Sequence, residues 1–140
     1  MQTLRDVMTP NPATVRSSDP VAAAARVMLD EDVGAVPVID EGAVAGMITD
    51  RDIAVKVVAA GLDPQTAAVS EYMSTHVVTG RPEMSVQEAA RLMGREQIRR
   101  LPVVDQNRLV GIVSLGDLAT EPPAQEEAED ALEEISQPAR

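Results

Sequence analysis

The feature that most restricts how this chain folds is that it repeats itself at a constant offset of 65 residues. Gly46-Met47-Ile48-Thr49-Asp50-Arg51-Asp52 returns as Gly111-Ile112-Val113-Ser114-Leu115-Gly116-Asp117. Met8, Thr14, Arg16, Val21, Ala24, Ala25, Arg26 and Met28 return as Met73, Thr79, Arg81, Val86, Ala89, Ala90, Arg91 and Met93. Pro37-Val38 and Asp40 return as Pro102-Val103 and Asp105. About a third of the aligned positions are identical, which chance does not produce, so the chain holds two copies of one supersecondary unit.

The first copy reads in order. Leu4 to Met8 makes at most a helical turn, which Thr9-Pro10-Asn11-Pro12 breaks, and Ala13-Thr14-Val15 is a brief extended piece. Asp19-Pro20 opens a helix, with aspartate as N-cap and proline at the first helical position, and Val21, Ala24, Ala25, Met28 and Leu29 carry helical spacing to about Asp32. Ala35 to Asp40 and Ala43 to Ile48 form a hairpin around Glu41-Gly42, and Pro37 points to an edge position or a strand start for the first of them. Thr49 to about Ala60 is helical and Gly61 closes it. The second helix of this kind carries its own capping box, Ser85-Val86-Gln87-Glu88.

The expected fold is therefore α/β, with halves at residues 1–62 and 63–120 and an acidic C-terminal segment at 121–140. Each half is small for a domain, so two tandem β-α-β-β-α repeats are expected to pack sheet to sheet with pseudo-two-fold symmetry. Both strand-to-helix turns then approach the cleft between them. Seven acids and one base give residues 121–140 a net charge of −6, against −5 for the rest, and a solvated tail is the expectation there. The segment could also form a short amphipathic helix, and a docking element for a partner or a second subunit is the alternative.

The repeated turn carries the chemistry. An apolar pair ends a buried strand, and a hydroxyl residue followed three places on by an acid starts a helix. Such a turn offers backbone N–H groups to an anion, and its carboxylate can accept from a diol, a combination suited to a sugar–phosphate. The same pattern is also a capping box, which needs no ligand.

Composition removes other classes. The chain has no Phe, no Trp and one Tyr, so its core is aliphatic and it lacks the stacking platform of a single-strand nucleic-acid reader. A net charge of −11 argues against nucleic acid and anionic membrane as partners. No cysteine is present, which excludes disulfides and thiolate chemistry, and no apolar run reaches the length of a membrane span. A cytoplasmic location is the expectation.

Met8-Thr9-Pro10 with Thr14-Val15, Val36-Pro37-Val38-Ile39-Asp40, and Gly46 to Asp52 together resemble a CBS motif. Leu101-Pro102-Val103-Val104-Asp105 with Gly111 to Asp117 resembles a second, so residues 1–119 are similar to a CBS pair, or Bateman module. The connecting segment resembles those of small stand-alone bacterial CBS-pair proteins. The resemblance implies regulation by an adenosine-containing ligand such as AMP, ADP, ATP or S-adenosylmethionine, with no other cofactor required. It implies phosphate contacts from Thr49 and Ser114, ribose contacts from Asp52 and Asp117, and help in holding the base from Thr14 and Thr79. It also implies a homodimer, with which the expected exposed apolar helix faces, including Val55, Val58 and Leu118, are compatible.

The two sites are not expected to be equal. Arg99 and Arg100 align with Gly34 and Ala35, while Arg51 aligns with Gly116, and these arginines are candidates for phosphate contacts with Arg100 preferred. Solvated surface charge is the alternative for Arg51 and Arg99. His76 falls in a loop, and the methionines fall at core spacing. The leading reading is a ligand sensor that signals to its own dimer or to an unidentified protein partner. A structural module without ligand is the rival, and the absence of a catalytic constellation argues against an enzyme.

Overall fold

The computed structural model describes residues 2–136. The order of elements is α1 (Leu4–Val7), β1 (Thr9–Pro10), α2 (Val21–Glu31), β2 (Ala35–Asp40), β3 (Ala43–Thr49) and α3 (Asp50–Asp52), which continues as a π-helical stretch, Ile53–Val58. After a 3-10 turn at Val69–Glu71 come α4 (Val86–Glu96), β4 (Arg100–Asp105), β5 (Arg108–Ser114), α5 (Leu115–Ala119) and, past a 3-10 turn at Pro122–Ala124, α6 (Gln125–Ile135). The chain divides into two compact units, one built from Ala13–Val77 and the other from the first twelve residues together with the chain from Val78 onward.

These units are cut differently from the sequence repeats at 1–62 and 63–120. The opening segment of each repeat packs on the body of the other. Leu4 N–H donates to the Met84 carbonyl and Arg5 N–H to that of Pro82 (2.9 and 3.0 Å), while Val69 and Ser70, 65 residues on, donate to Asp19 and Ser17 (2.9 and 2.9 Å). Leu4 and Val69 are both fully buried, each in the core of the body it crosses. Each segment then adds to the edge of a hairpin: β1 pairs with β5 through Thr9 and Ile112, and Ser74 bridges Met47. The expected break at Thr9-Pro10 is thus a two-residue strand.

That crossing explains the repeated glycine. A Cβ at Gly46 would lie 2.7 Å from the Ser74 carbonyl oxygen, and one at Gly111 would lie 3.0 Å from that of Thr9. Met73 and Met8 lie over the same two glycines, so these methionines pack across a strand rather than along a helix face.

The hairpins match in detail. β2 and β3 pair from Ala35–Thr49 to Asp40–Ala43, β4 and β5 from Arg100–Ser114 to Asp105–Arg108, and each ladder shifts register after Val38 or Val103. Pro37 and Pro102 sit within strands because their ring nitrogens face away from the partner strand. Their carbonyls instead accept on the open edge from Val15 N–H and Gly80 N–H (3.2 and 2.8 Å). Both hairpin turns take positive φ at two residues, Glu41-Gly42 and Gln106-Asn107.

Three expectations are corrected. The N-cap of α2 is Pro20, not Asp19, whose carboxylate accepts from Arg16 N–H at 2.8 Å. No side-chain cap is needed, because Val21 and Ala22 donate to the carbonyls of Ala67 and Pro64 (2.8 and 2.9 Å). The helix expected from Thr49 to Ala60 widens after one turn, with Ala59 N–H reaching back five residues to Ala54.

The third correction is the acidic segment, which is no solvated tail. Ala124, Ala128 and Ala131 are buried, and α6 lies against α4 and α5. Gly94 of α4 permits the contact, since a Cβ there would be 2.8 Å from the Ala131 Cα. Arg91 pairs with Glu127 at 3.5 Å. Leu118, expected among exposed apolar residues, is consequently fully buried. The last four residues of the 121–140 segment lie outside the described residues.

Candidate functional site

Each repeat places its hydroxyl and acid at the same point, where a buried strand ends and a helix begins. Thr49 takes extended backbone at the end of β3, and its Oγ1 accepts from Asp52 N–H at 3.1 Å while Asp52 Oδ2 accepts from Thr49 N–H at 2.9 Å. Ser114 and Asp117 make the same reciprocal pair at 3.0 and 3.3 Å. Both are complete capping boxes. The contact is not peculiar to these turns, because Asp6 Oδ2 also accepts from Thr3 N–H at 3.0 Å.

What the caps leave over differs. In the first repeat every amide of the turn has a partner. Asp50 N–H donates to Gly34 O (2.9 Å), Arg51 N–H donates to the Asp50 carboxylate (2.8 Å), and the capping box takes the other two. The expectation of several free N–H groups therefore fails there. In the second repeat Leu115 N–H donates to Arg99 O at 2.8 Å, but Gly116 N–H has no partner among the described residues.

The carboxylates differ as well. Asp52 Oδ1 is held by Lys56 at 3.0 Å, one helical turn on. The counterpart of Lys56 is Glu121, so Asp117 has no such cation, and its Oδ1 is unengaged among the described residues. Asp52 is half-buried and Asp117 is exposed.

The arginines separate. Arg100, half-buried, is the cross-strand partner of Ser114, whereas Thr49 faces Ala35. Directly opposed residues hold their Cβ atoms about 5 Å apart, which puts the guanidinium within reach of the second turn. Arg99 contributes its carbonyl to the turn and leaves its side chain exposed, and Arg51 is exposed with no ion pair among the described residues.

Thr14 and Thr79 are exposed on the segments that bridge to Val38 and Val103. Thr14 lines a polar cavity of about 460 Å³ with Arg16, Asp19 and Glu41, which neither Thr49 nor Asp52 reaches. His76 is exposed. No group of three or more His, Cys, Asp or Glu side chains is placed to hold a metal ion among the described residues, and no helix there is long and apolar enough to cross a membrane. The Lys56 pairing is the one feature of the site that sequence reasoning passed over, although the i, i+4 spacing of Asp52 and Lys56 was there to read.

Two tandem α/β repeats, each ending a hairpin in a capped turn of hydroxyl and carboxylate, define a class of paired-repeat modules. The family model for the CBS domain matches residues 4–59 and again 69–123, and the chain belongs to the CBS-domain family. It is 51% identical over 136 residues to the CBS domain-containing protein YhcV of Bacillus subtilis, covering 97% of this chain and 96% of that one.

Solved structures agree. Hypoxic Response Protein I, solved with two coordinated zinc ions, superposes with a TM-score of 0.79 at 40% identity, over 87% of this chain and 100% of that one. The CBS pair of MJ0100, solved with 5′-methylthioadenosine and S-adenosyl-L-methionine, gives 0.77 at 28% identity, over 89% and 98%. CBSX2 in complex with AMP gives 0.76 at 27% identity, over 90% and 99%.

Proposed function

We propose that this chain is a regulatory module of the cytoplasm that binds an adenosine-containing ligand, with AMP, ADP, ATP and S-adenosylmethionine as the candidates. It signals occupancy to a second copy of itself or to a separate protein, and it performs no catalysis. The observation that carries the reading is the second turn. Ser114 and Asp117 hold each other in place, yet Gly116 N–H and one Asp117 oxygen remain available, and Arg100 stands across the ladder. An amide, a hydroxyl and a guanidinium suit a phosphate, and the spare carboxylate oxygen suits a ribose diol. Two structural relatives were solved with adenosine-type ligands, which supports the same ligand class here.

Carried over by position, Ser114, Asp117, Arg99 and Arg100 with Thr79 form the stronger site. Thr49, Asp52, Arg51 and Thr14 form the weaker one, because a ligand there displaces Lys56 from Asp52 and finds the turn amides already engaged. The reading requires no resident cofactor.

Thermal unfolding against AMP, ADP, ATP, S-adenosylmethionine and NADH, with GMP as control, tests it. A ligand at 100 times its Kd adds about 2.7 kcal/mol, several degrees for a chain of this length. One adenosine ligand should raise Tm, Asp117→Asn should lose the rise, and Asp52→Asn should keep most of it. The absence of any shift at millimolar ligand would leave the capped turns as structure alone.

A further inference from the structure

Lys56 is the only lysine of the sequence, and arginine fills the other eleven cationic positions. It stands in the π-helical stretch after α3, between the exposed Val55 and the buried Val57. Its Nζ lies 3.0 Å from Asp52 Oδ1, with 50% of the lysine side chain and 17% of the aspartate side chain exposed. Asp52 Oδ2 is engaged by Thr49 N–H, so the lysine holds the oxygen that the cap leaves over. As plain support for a helix an arginine serves as well, as Arg91 does against Glu127. What an amine adds is reactivity. A guanidinium keeps its proton at every physiological pH, whereas a lysine Nζ accepts acyl groups and loses its charge in doing so.

We infer that Lys56 is an acyl-acceptor site, and that its modification opens the first turn to ligand. The donor class is an activated acyl group, carried as an acyl phosphate or an acyl thioester. The ammonium first releases a proton to solvent, and Nζ then attacks the acyl carbon. The C–N bond forms as the bond to the phosphate oxygen or thiol sulfur breaks, and the leaving group departs with the bonding pair. The product amide is neutral, so the cation that held Asp52 Oδ1 is gone. That oxygen can then accept from a ribose diol without a lysine first being displaced.

The device acts on one turn only. The position equivalent to Lys56 in the second repeat is Glu121, and Asp117 Oδ1 is already unengaged among the described residues. Acylation therefore moves the weaker site toward the stronger and leaves the stronger untouched. The aspartate end of the pair is mostly shielded from water, so its release should tighten the first site about three- to tenfold, more than an exposed i, i+4 pair is worth. The half-exposed lysine end is the reacting end, which leaves Nζ open to a donor in solution.

This inference rests on the reading that the first turn takes an adenosine-containing ligand, and the experiment separates the two. With the full chain in millimolar acetyl phosphate or acetyl-CoA, peptide mass mapping should place an acetyl group on Lys56, and the arm that works names the donor. Asp52→Asn, which removes the carboxylate that holds the ammonium, should be acetylated about two- to fivefold faster. Calorimetry then follows AMP, ATP and S-adenosylmethionine. In the acetylated chain and in Lys56→Gln the weaker binding event should tighten about three- to tenfold, appearing as a second equivalent if wild type shows one. Lys56→Arg, which keeps the charge and accepts no acyl group, should match wild type with and without donor. A wild type that binds, with a weaker event that neither acetylation nor Lys56→Gln moves, would overturn this inference alone. So would an unmodified Lys56 beside a fully acetylated lysine peptide. Binding by none of these chains would overturn the ligand reading together with it.

Discussion

Gly46→Ala separates the crossing-segment account from simple propensity, because the two predict opposite signs. A glycine in a strand is worth roughly 0.5–1 kcal/mol less than alanine, so propensity alone makes the substitution stabilising. The structure says otherwise. The added Cβ would meet the Met73 sulfur and the Ser74 carbonyl oxygen, each at 2.7 Å. The methionine can rotate away, but the carbonyl accepts from Met47 N–H at 3.0 Å and cannot retreat without opening that bridge. Overpacking of this kind costs about 1–3 kcal/mol, or roughly 3–10 °C in Tm for a chain of this length. Gly111→Ala should cost less, since its backbone neighbour, Thr9 O, is 3.0 Å away and the closer atom is the Met8 sulfur. Gly116→Ala is the control. Beyond the adjacent residues, its added Cβ would have Ser114 Oγ as nearest neighbour at 3.8 Å, it sits in the first turn of a helix, and it should gain about 0.4–1 kcal/mol. Ligand-free thermal melts followed by far-UV dichroism rank the three. A Gly46→Ala protein that melts at or above wild type refutes the reasoning.

Leu118→Ala should cost about 2–5 kcal/mol in the same melts, because α6 leaves the side chain no exposure; an exposed Leu118 would cost almost nothing. Ser114→Ala should lower ligand-free stability by about 1 kcal/mol through the lost cap and weaken nucleotide binding in calorimetry. Ser114→Thr, which copies position 49, should restore both, and a stability loss with unchanged binding would reduce Ser114 to a cap.

The repeat, the hairpins and the two capped turns are legible in the sequence because each rests on contacts a few residues apart. The exchange of opening segments is not. Leu4 and Val69 are both aliphatic, Thr9 and Ser74 both pair with a strand edge, and either segment suits either body, so local pattern cannot say which body it joins. The acidic segment misleads for another reason. Seven acids dominate its composition, while the stripe that docks it is Ala124, Ala128, Ala131 and Ile135, whose small side chains carry a weak hydrophobic signal. The informative residue lies elsewhere: Gly94 replaces the counterpart Leu29 in the last turn of a helix, a cost that α6 offsets by close approach. Asp19 reads as a cap because its residue type favours one, but the α2 amides are met by carbonyls more than 40 residues away.

The candidate site poses a harder problem, since the residues that would bind a ligand are the residues that cap a helix. Thr3 and Asp6 show that a hydroxyl and an acid three apart engage one another without any buried strand before them. The motif by itself is therefore silent on binding. What discriminates is the hydrogen-bonding capacity left after capping. The first turn has spent its amides on Gly34, Asp50 and its own box, and its carboxylate on Lys56. The second keeps Gly116 N–H and one carboxylate oxygen, with Arg100 opposite. Two sequence-equivalent motifs thus differ in what they can offer a ligand. The differences trace to positions outside the motif, Lys56 against Glu121 and Ala35 against Arg100, and to one variable position within it, Arg51 against Gly116. Those three positions, more than the hydroxyl and the acid that both turns share, should decide whether a chain of this kind binds one equivalent of ligand or two.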